Sequence, residues 1–272
     1  MKKAILAISF GTGHDDTREK TIGAVENALR AAVCDQYDLE NKASRGTESI
    51  PVIRAFTSRR IIQGLRQRGI VVLTVEEAFG RLLERGYEEV VVQPTVIIPG
   101  EEYENLRELV GRQESRFQAV RMGEPLLSNR EDERRLSEIM SALYPLDEGE
   151  ALILTGHGSG SAAGQIYHDL NDLFRLSLSG PECGIYVGTV QGEPSLERIL
   201  EELRRKNCRK VILAPLMLTA GGHAVHDMAG ASPDSWKSRL ESEGYPVRAV
   251  LKGLGEYEEI REMYVEKLRK IL

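Results

Sequence analysis

Two histidines sit where imidazole chemistry is easiest to perform. His157 lies in TGHGSG directly after the apolar run ALILT, bracketed by Gly156 and Gly158, and His223 lies in AGGHAVHD after the apolar run VILAPLML. A histidine immediately beyond a buried strand and flanked by glycine is expected to project from a loop tip instead of packing in a core. Neutral imidazole is a base near neutral pH and a borderline-soft ligand, so such a pair can ligate a divalent metal or carry protons. The plain alternative is a pair of solvent-exposed loop histidines. His226 and Asp227 follow closely and give His226 a supporting place behind His223, although H-x-x-H alone is a weak metal signature. His14 and His168 read as exposed residues at a helix start and on a helix face.

Internal repetition supplies a third group. AILAISFGTG from Ala4 aligns with ALILTGHGSG from Ala151 at a shift of 147 (151 − 4), which sets Phe10 against His157. VVVQPTVIIPGEE from Val90 aligns with VILAPLMLTAGGH from Val211 at a shift of 121 (211 − 90), which sets Pro94 against Pro215 and Glu102 against His223. A carboxylate facing two imidazoles would complete a metal-handling trio or orient a protonated histidine. On spacing alone Glu102 is an acidic residue in a first helical turn, where the dipole favours it. Equivalent tips bearing different polar groups predict a cleft between two similar lobes, with the chemistry built unequally from each side.

The elements that must carry these tips follow from the pattern of apolar runs. Strands are predicted over 4–9, 52–56, 90–97, 119–122, 151–155, 184–190, 211–218 and 246–250. Most are rich in Val, Ile and Leu without alternation, as parallel strands covered on both faces require. Helical spacing recurs over 19–33, 75–84 and 196–205. Strand–helix–strand units in series imply an α/β fold of two similar doubly wound parallel-sheet lobes, whose ligands sit beyond the carboxyl ends of the strands. The expected division is an N-terminal lobe over 1–130 with a polar, mobile insertion at 38–50, a C-terminal lobe over 131–255, and a closing helix over 256–272. The apolar side of that helix (Ile260, Met263, Tyr264, Leu268, Ile271) would cover its own lobe or a neighbour, so a homo-oligomer is left open.

Composition narrows the partners. The 272 residues are 41% apolar and 29% charged with a net charge of −6, an ordinary globular composition without a basic stripe for nucleic acid. Cys34, Cys183 and Cys208 are far apart and form no C-x-x-C, which argues against a zinc knuckle, an iron–sulfur cluster or a disulfide framework and for a reducing cytoplasm. MKKAILAISF reads as a first buried strand and not as an export signal, and no apolar run reaches the ~18 residues of a membrane span. GTGHDD and GHGSGS are not phosphate loops, so no nucleotide is expected, but their backbone N–H groups can hold carboxylates. Arg54, Arg59 and Arg60 in IRAFTSRRII can fork onto substrate carboxylates or form a solvated helix face. Ser159 has no G-x-S-x-G elbow for hydrolysis.

SFGT at Ser9–Thr12, RAFTS at Arg54–Ser58, PGEEYE at Pro99–Glu104, TGHGS at Thr155–Ser159, VGTV at Val187–Val190, PLMLTAGGHAVHDMAG from Pro215 and DSWK at Asp234–Lys237 together resemble the anaerobic sirohydrochlorin cobaltochelatase family of cobalamin biosynthesis. These class II chelatases, related to ferrochelatases, have two α/β lobes around a tetrapyrrole cleft. The resemblance implies ATP-independent insertion of Co²⁺ into sirohydrochlorin, with His157 and His223 removing pyrrole protons and holding the metal and Glu102 lying opposite them. It further implies substrate contacts at Phe10, Gly11, Thr12, Arg54, Ser58, Gly158 and Ser159. The sequence departs from the family after VGTV, where a metal-binding glutamate is typical and Gln191-Gly192-Glu193-Pro194 stands instead. An amide is a weaker ligand and cannot balance a cation's charge, which leaves Glu193 as a substitute from two positions away. Val96 likewise stands where the family often has histidine. Iron insertion for sirohaem, with Ni²⁺ as a further metal, and a non-catalytic tetrapyrrole or metal carrier remain as rival readings.

Overall fold

The computed structural model describes residues 2–40, 50–177, 183–222 and 224–272. Most of the polar insertion, residues 41–49, and His223 lie outside the described residues. The chain divides into two compact units, one of Met1–Leu126 with Gly255–Leu272 and one of Leu127–Leu254.

In the first unit β1 (Lys3–Ser9), β2 (Val52–Phe56), β3 (Leu73–Thr74), β4 (Glu89–Pro94) and β5 (Ala119–Met122) form a parallel sheet in the order β3-β2-β1-β4-β5. β1 is central, and Ala4 to Ile8 are wholly buried. Ala4, Leu6 and Ile8 join Ala78, Phe79 and Leu82 of α4 (Val75–Glu84) and Leu106 and Val110 of α5 (Glu101–Gly111) in one apolar cluster. Burial on both faces is why the run shows no alternation. Thr74 starts α4 with a capping box closed by Glu77. Helix α1 (Asp15–Arg18) leads through a π-helical turn (Glu19–Gly23) into α2 (Ala24–Glu40), and α3 (Arg59–Gln67) follows β2. The closing helix α10 (Glu258–Arg269) packs on α2, and its apolar residues Ile260, Met263, Tyr264, Val265 and Leu268 are buried within this unit.

The second unit repeats the plan. After α6 (Arg130–Leu143), β6 (Glu150–Gly156), β7 (Ile185–Thr189), β8 (Lys210–Pro215) and β9 (Val247–Ala249) pair in parallel in the order β7-β6-β8-β9. Crossovers run through α7 (Gln165–Ser177), α8 (Leu196–Arg205) and α9 (Trp236–Ser242). Ile199, Leu200 and Leu203 of α8 and Trp236 and Leu240 of α9 pack with Ile153, Val211 and Leu213 of the sheet.

The repeat holds at the level of register. Lys3 pairs with Glu89 and Ile8 with Pro94 in the first sheet; Glu150 pairs with Lys210 and Thr155 with Pro215 in the second. Even the ion pair at the start of the ladder is kept with its charges exchanged, Lys3–Glu89 at 3.3 Å and Lys210–Glu150 at 3.5 Å. The strands predicted over 90–97 and 211–218 stop at Pro94 and Pro215. One further bond forms in each, Thr95 N–H to the Ile8 carbonyl and Leu216 N–H to the Thr155 carbonyl, after which the central strand has ended.

One sequence expectation is overturned. Cys183 and Cys208 form a disulfide with Cα atoms 5.5 Å apart. The 25-residue separation concealed it: α8 carries the chain back to the amino ends of the strands, so the residue just before β7 and the residue just before β8 approach each other. Cys34 is free and exposed.

β7 is an edge strand, and a side chain completes its hydrogen bonding. Asn171 of α7 donates to the Val187 carbonyl at 2.8 Å and accepts from the Val187 N–H at 2.7 Å. Asn171→Leu leaves two backbone groups without a partner, each worth about 1–3 kcal/mol. Chemical denaturation is expected to show a loss of at least about 2 kcal/mol; stability equal to the parent protein would contradict this role.

Candidate active site

Both central strands end in the same turn. The Ser9 carbonyl accepts from Thr57 N–H at 2.9 Å and the Phe10 carbonyl from Ser58 N–H at 3.2 Å; the Gly156 carbonyl accepts from Val190 N–H and the His157 carbonyl from Gln191 N–H, both at 3.0 Å. The next residue is glycine in each case, Gly11 at φ +103° and Gly158 at φ +100°. A Cβ on residue 11 would lie 2.5 Å from the Phe56 ring, and one on residue 158 would lie 1.8 Å from the Gln191 carbonyl oxygen. The backbone is therefore pinned against the neighbouring strand on both sides of the tip, and the side chain at 10 or 157 is the one directed outward. Phe10 is 53% exposed and His157 is exposed.

A buried phenol supports the His157 turn. Tyr167 of α7 accepts the Gly158 N–H, and its hydroxyl is pushed up by burial in spite of that bond. Gly156 lets the ring approach, since a Cβ there would lie 2.4 Å from Tyr167 Cε1. Ser159 is engaged locally, its Oγ lying 2.9 Å from Ser161 Oγ and accepting Ser161 N–H at 3.2 Å. Gln191 is exposed beside His157, joined to it through the backbone. The Glu193 carboxylate accepts Ser195 N–H at 2.9 Å at the start of α8, an ordinary helix-start contact. Beyond β8, Gly221 accepts from Val225 N–H at 3.0 Å and a π-helical turn spans Ala224–Met228, with His226 exposed. Among the described residues no group of three or more His, Cys, Asp or Glu is placed to hold a metal ion.

In the first unit Glu102 occupies the first turn of α5, and Thr57 Oγ1 donates to its Oε1 at 3.3 Å. The side chain is half-buried, and desolvation pushes its carboxyl up to about 7 against the lowering effect of the Thr57 hydroxyl. Tyr264 of α10 is fully buried and donates to the Thr95 carbonyl at 2.8 Å. Burial, and then the Glu102 charge, push its phenol well up. Thr12 is buried and accepts His14 N–H at 3.3 Å. Ser58 caps α3 by accepting Ile61 N–H at 3.4 Å.

Arg54, read from sequence as a substrate contact, sits within β2 with its guanidinium already engaged. It makes a bidentate pair with Glu26, Nε to Oε1 at 2.7 Å and Nη2 to Oε2 at 2.9 Å, and reaches Glu19 at 3.1 Å. The Glu26 side chain is 1% exposed, so this pair joins α2 to the sheet. The partners are 28 residues apart, which no local pattern reveals. Thr57 enters the sequence reading only within the RAFTS run, Tyr264 only on the apolar side of the closing helix, and Tyr167 not at all.

The carboxyl of Glu102, raised to about 7 at one strand tip, is a base matched to neutral pH. The sequence profile described as cobalt chelatase (CbiK) matches residues 3–272. The chain belongs to the cobalt chelatase (CbiK) family. It is 38% identical to a Salmonella typhimurium protein named sirohydrochlorin cobaltochelatase, over 100% of this chain and 97% of that protein. It is 33% identical to sirohydrochlorin cobaltochelatase CbiKC of Nitratidesulfovibrio vulgaris, over 98% and 89% of the two chains. Among solved structures it resembles SirB from Bacillus subtilis with Fe³⁺, at TM-score 0.62 and 12% identity over 99% and 95% of the chains, a likeness of fold. Both the family and the fold are those expected of the sequence, an α/β chelatase with two parallel sheets.

Two outcomes follow from this geometry. Arg54→Ala leaves Glu26 buried and is expected to cost about 3 kcal/mol in denaturant unfolding, with stability equal to the parent contradicting a structural role. Glu102, whose carboxyl is raised above its ordinary value, favours folding when protonated; that contribution is complete below about 4.5 and is lost as pH rises through about 7. The melting temperature of Glu102→Gln should therefore gain on the parent protein between pH 5 and pH 8, and a constant difference would contradict the raised carboxyl.

Proposed function

We propose that this chain inserts Co²⁺ into sirohydrochlorin, without a nucleotide, in the anaerobic synthesis of cobalamin. The observation that carries the reading is near-full-length identity to two proteins named sirohydrochlorin cobaltochelatase, joined to an imidazole held at the carboxyl end of a central strand. Inserting a divalent ion into a tetrapyrrole displaces two N–H protons, so the reaction needs a transient metal ligand and proton acceptors together. His157 and His223 take the roles of ligand and base toward the substrate metal, and Glu102 is a further acceptor, poised by its carboxyl near 7. Phe10, Gly11, Thr12 and Ser58 in the first unit and Gly158 and Ser159 in the second lie at the strand tips and contact the macrocycle and its carboxylates. Arg54 is left out of this set because Glu26 and Glu19 hold it. Gln191 stands beside His157 and takes the place of the family glutamate, while Glu193 keeps its bond to Ser195 N–H.

No helix among the described residues is long and apolar enough to cross a membrane. A cytoplasmic setting, where the tetrapyrrole and its metals are handled, belongs to the proposal.

A stoichiometric carrier of ring or metal is the second reading, favoured by the amide at Gln191. Absorbance time courses of sirohydrochlorin with Co²⁺, Fe²⁺ or Ni²⁺, with and without the protein, separate the readings. Repeated turnover fastest with Co²⁺ is expected, whereas a single stoichiometric event would favour the carrier. His157→Ala and His223→Ala should each lower turnover more than tenfold with the fold retained by circular dichroism. Parental turnover in either would overturn the assignment.

A further inference from the structure

In the first unit one side-chain bond joins the end of β2 to the start of α5, from Thr57 Oγ1 to Glu102 Oε1. The donor is well placed to act as a fixed point. Thr57 N–H is bonded to the Ser9 carbonyl and the following N–H to the Phe10 carbonyl, so its backbone is held to the tip of β1, and a β-branched side chain has restricted χ1. The acceptor has more freedom, on a longer side chain in a helical first turn. Groups facing Glu102 from packed elements are the Thr57 hydroxyl and, from α10, the Tyr264 phenol. The Tyr264 hydroxyl hydrogen is committed to the Thr95 carbonyl. On α5 itself Glu101 is exposed, and Glu104 is paired with Arg107.

The repeat supplies an independent observation. Ile5 pairs with Val52 as Leu152 pairs with Ile185, so Thr57 corresponds to Val190 at a shift of 133 (185 − 52). In sequence Glu102 aligns with His223 at the shift of 121, so the half with a hydroxyl at residue 57 carries a carboxylate at the aligned position, and the half with Val190 carries a histidine there. A hydroxyl that served only the tip turn would be as useful in either unit.

We propose that Thr57 is a positioning residue for Glu102, turning Oε1 to the tip of β2 and leaving Oε2 directed outward to take a pyrrole proton. This rests on Glu102 acting as a proton acceptor in the function proposed above. Donation to Oε1 favours the ionised carboxylate, so removing the hydroxyl raises the carboxyl's titration and moves the acid limb of turnover to higher pH. At 3.3 Å the bond is long for O–H···O, so the shift is about half a pH unit and not several.

The test compares Thr57→Val, Thr57→Ser and Glu102→Gln with the parent protein. Two readouts are used: kcat and KM for sirohydrochlorin with Co²⁺ from pH 5.5 to 9, and the ¹³C titration of the Glu102 carboxyl. Thr57→Val should lower kcat about threefold near pH 6.5 with KM unchanged, approach parental kcat above pH 8, and raise the carboxyl titration by about half a unit. Thr57→Ser should restore both, and Glu102→Gln should abolish the limb. An unmoved titration in Thr57→Val, or a moved titration with an unmoved limb, would overturn the proposal. If the parent protein shows no turnover, the proposed function falls; the titration then judges the bond alone, with an upward move in Thr57→Val supporting it and no move overturning it.

Discussion

Residues 11 and 158 each occupy a place where a β-carbon has no room, and the rest of the candidate site depends on that steric constraint. At Gly158 the Gln191 carbonyl oxygen stands 1.8 Å from where the Cβ would be, and φ is +100°. The turn can close only with glycine, and closing it brings Gln191 N–H onto the His157 carbonyl and Gly158 N–H onto the Tyr167 hydroxyl. With its carbonyl bonded to Gln191 N–H and Gly156 before it buried, residue 157 projects its side chain from the sheet. The apolar strands, the parallel ladder and the Asn171 bridge to β7 all fix the two strand ends that meet at this turn. Pre-organising a side chain at a strand end in this way removes much of the conformational cost of presenting it.

The same constraint operates in the first unit, where Phe10 takes the outward position and Glu102 accepts from Thr57 nearby. One scaffold thus carries unlike groups. A phenyl ring suits contact with a flat macrocycle, an imidazole suits a transition metal, and a desolvated carboxyl near 7 suits proton transfer. The tips diverge, while the central ladder beneath conserves its register down to an ion pair with exchanged charges.

Much of this was legible in the sequence because apolar runs and glycines report backbone constraints directly. The shifts of 147 and 121 anticipated the equivalent registers of β1–β4 and β6–β8, and the glycine after each tip residue marked the turn. Long-range side-chain pairing was not legible. The Arg54–Glu26 pair spans 28 residues and the Cys183–Cys208 bridge 25, and neither left a local pattern. The two-residue strand β3 is too short to leave a periodic signal, and Tyr167 and Tyr264 act through hydroxyls whose partners are fixed only by packing.

The central claim is that the imidazole at the end of β6 binds the incoming metal. X-ray absorption of the Co²⁺-loaded protein tests it most directly, because imidazole rings give a characteristic multiple-scattering pattern. The account predicts imidazole scattering from two ligands in the parent protein and from one in His157→Ala. Cobalt bound with an identical imidazole count in both proteins, or with oxygen ligands alone, would contradict it.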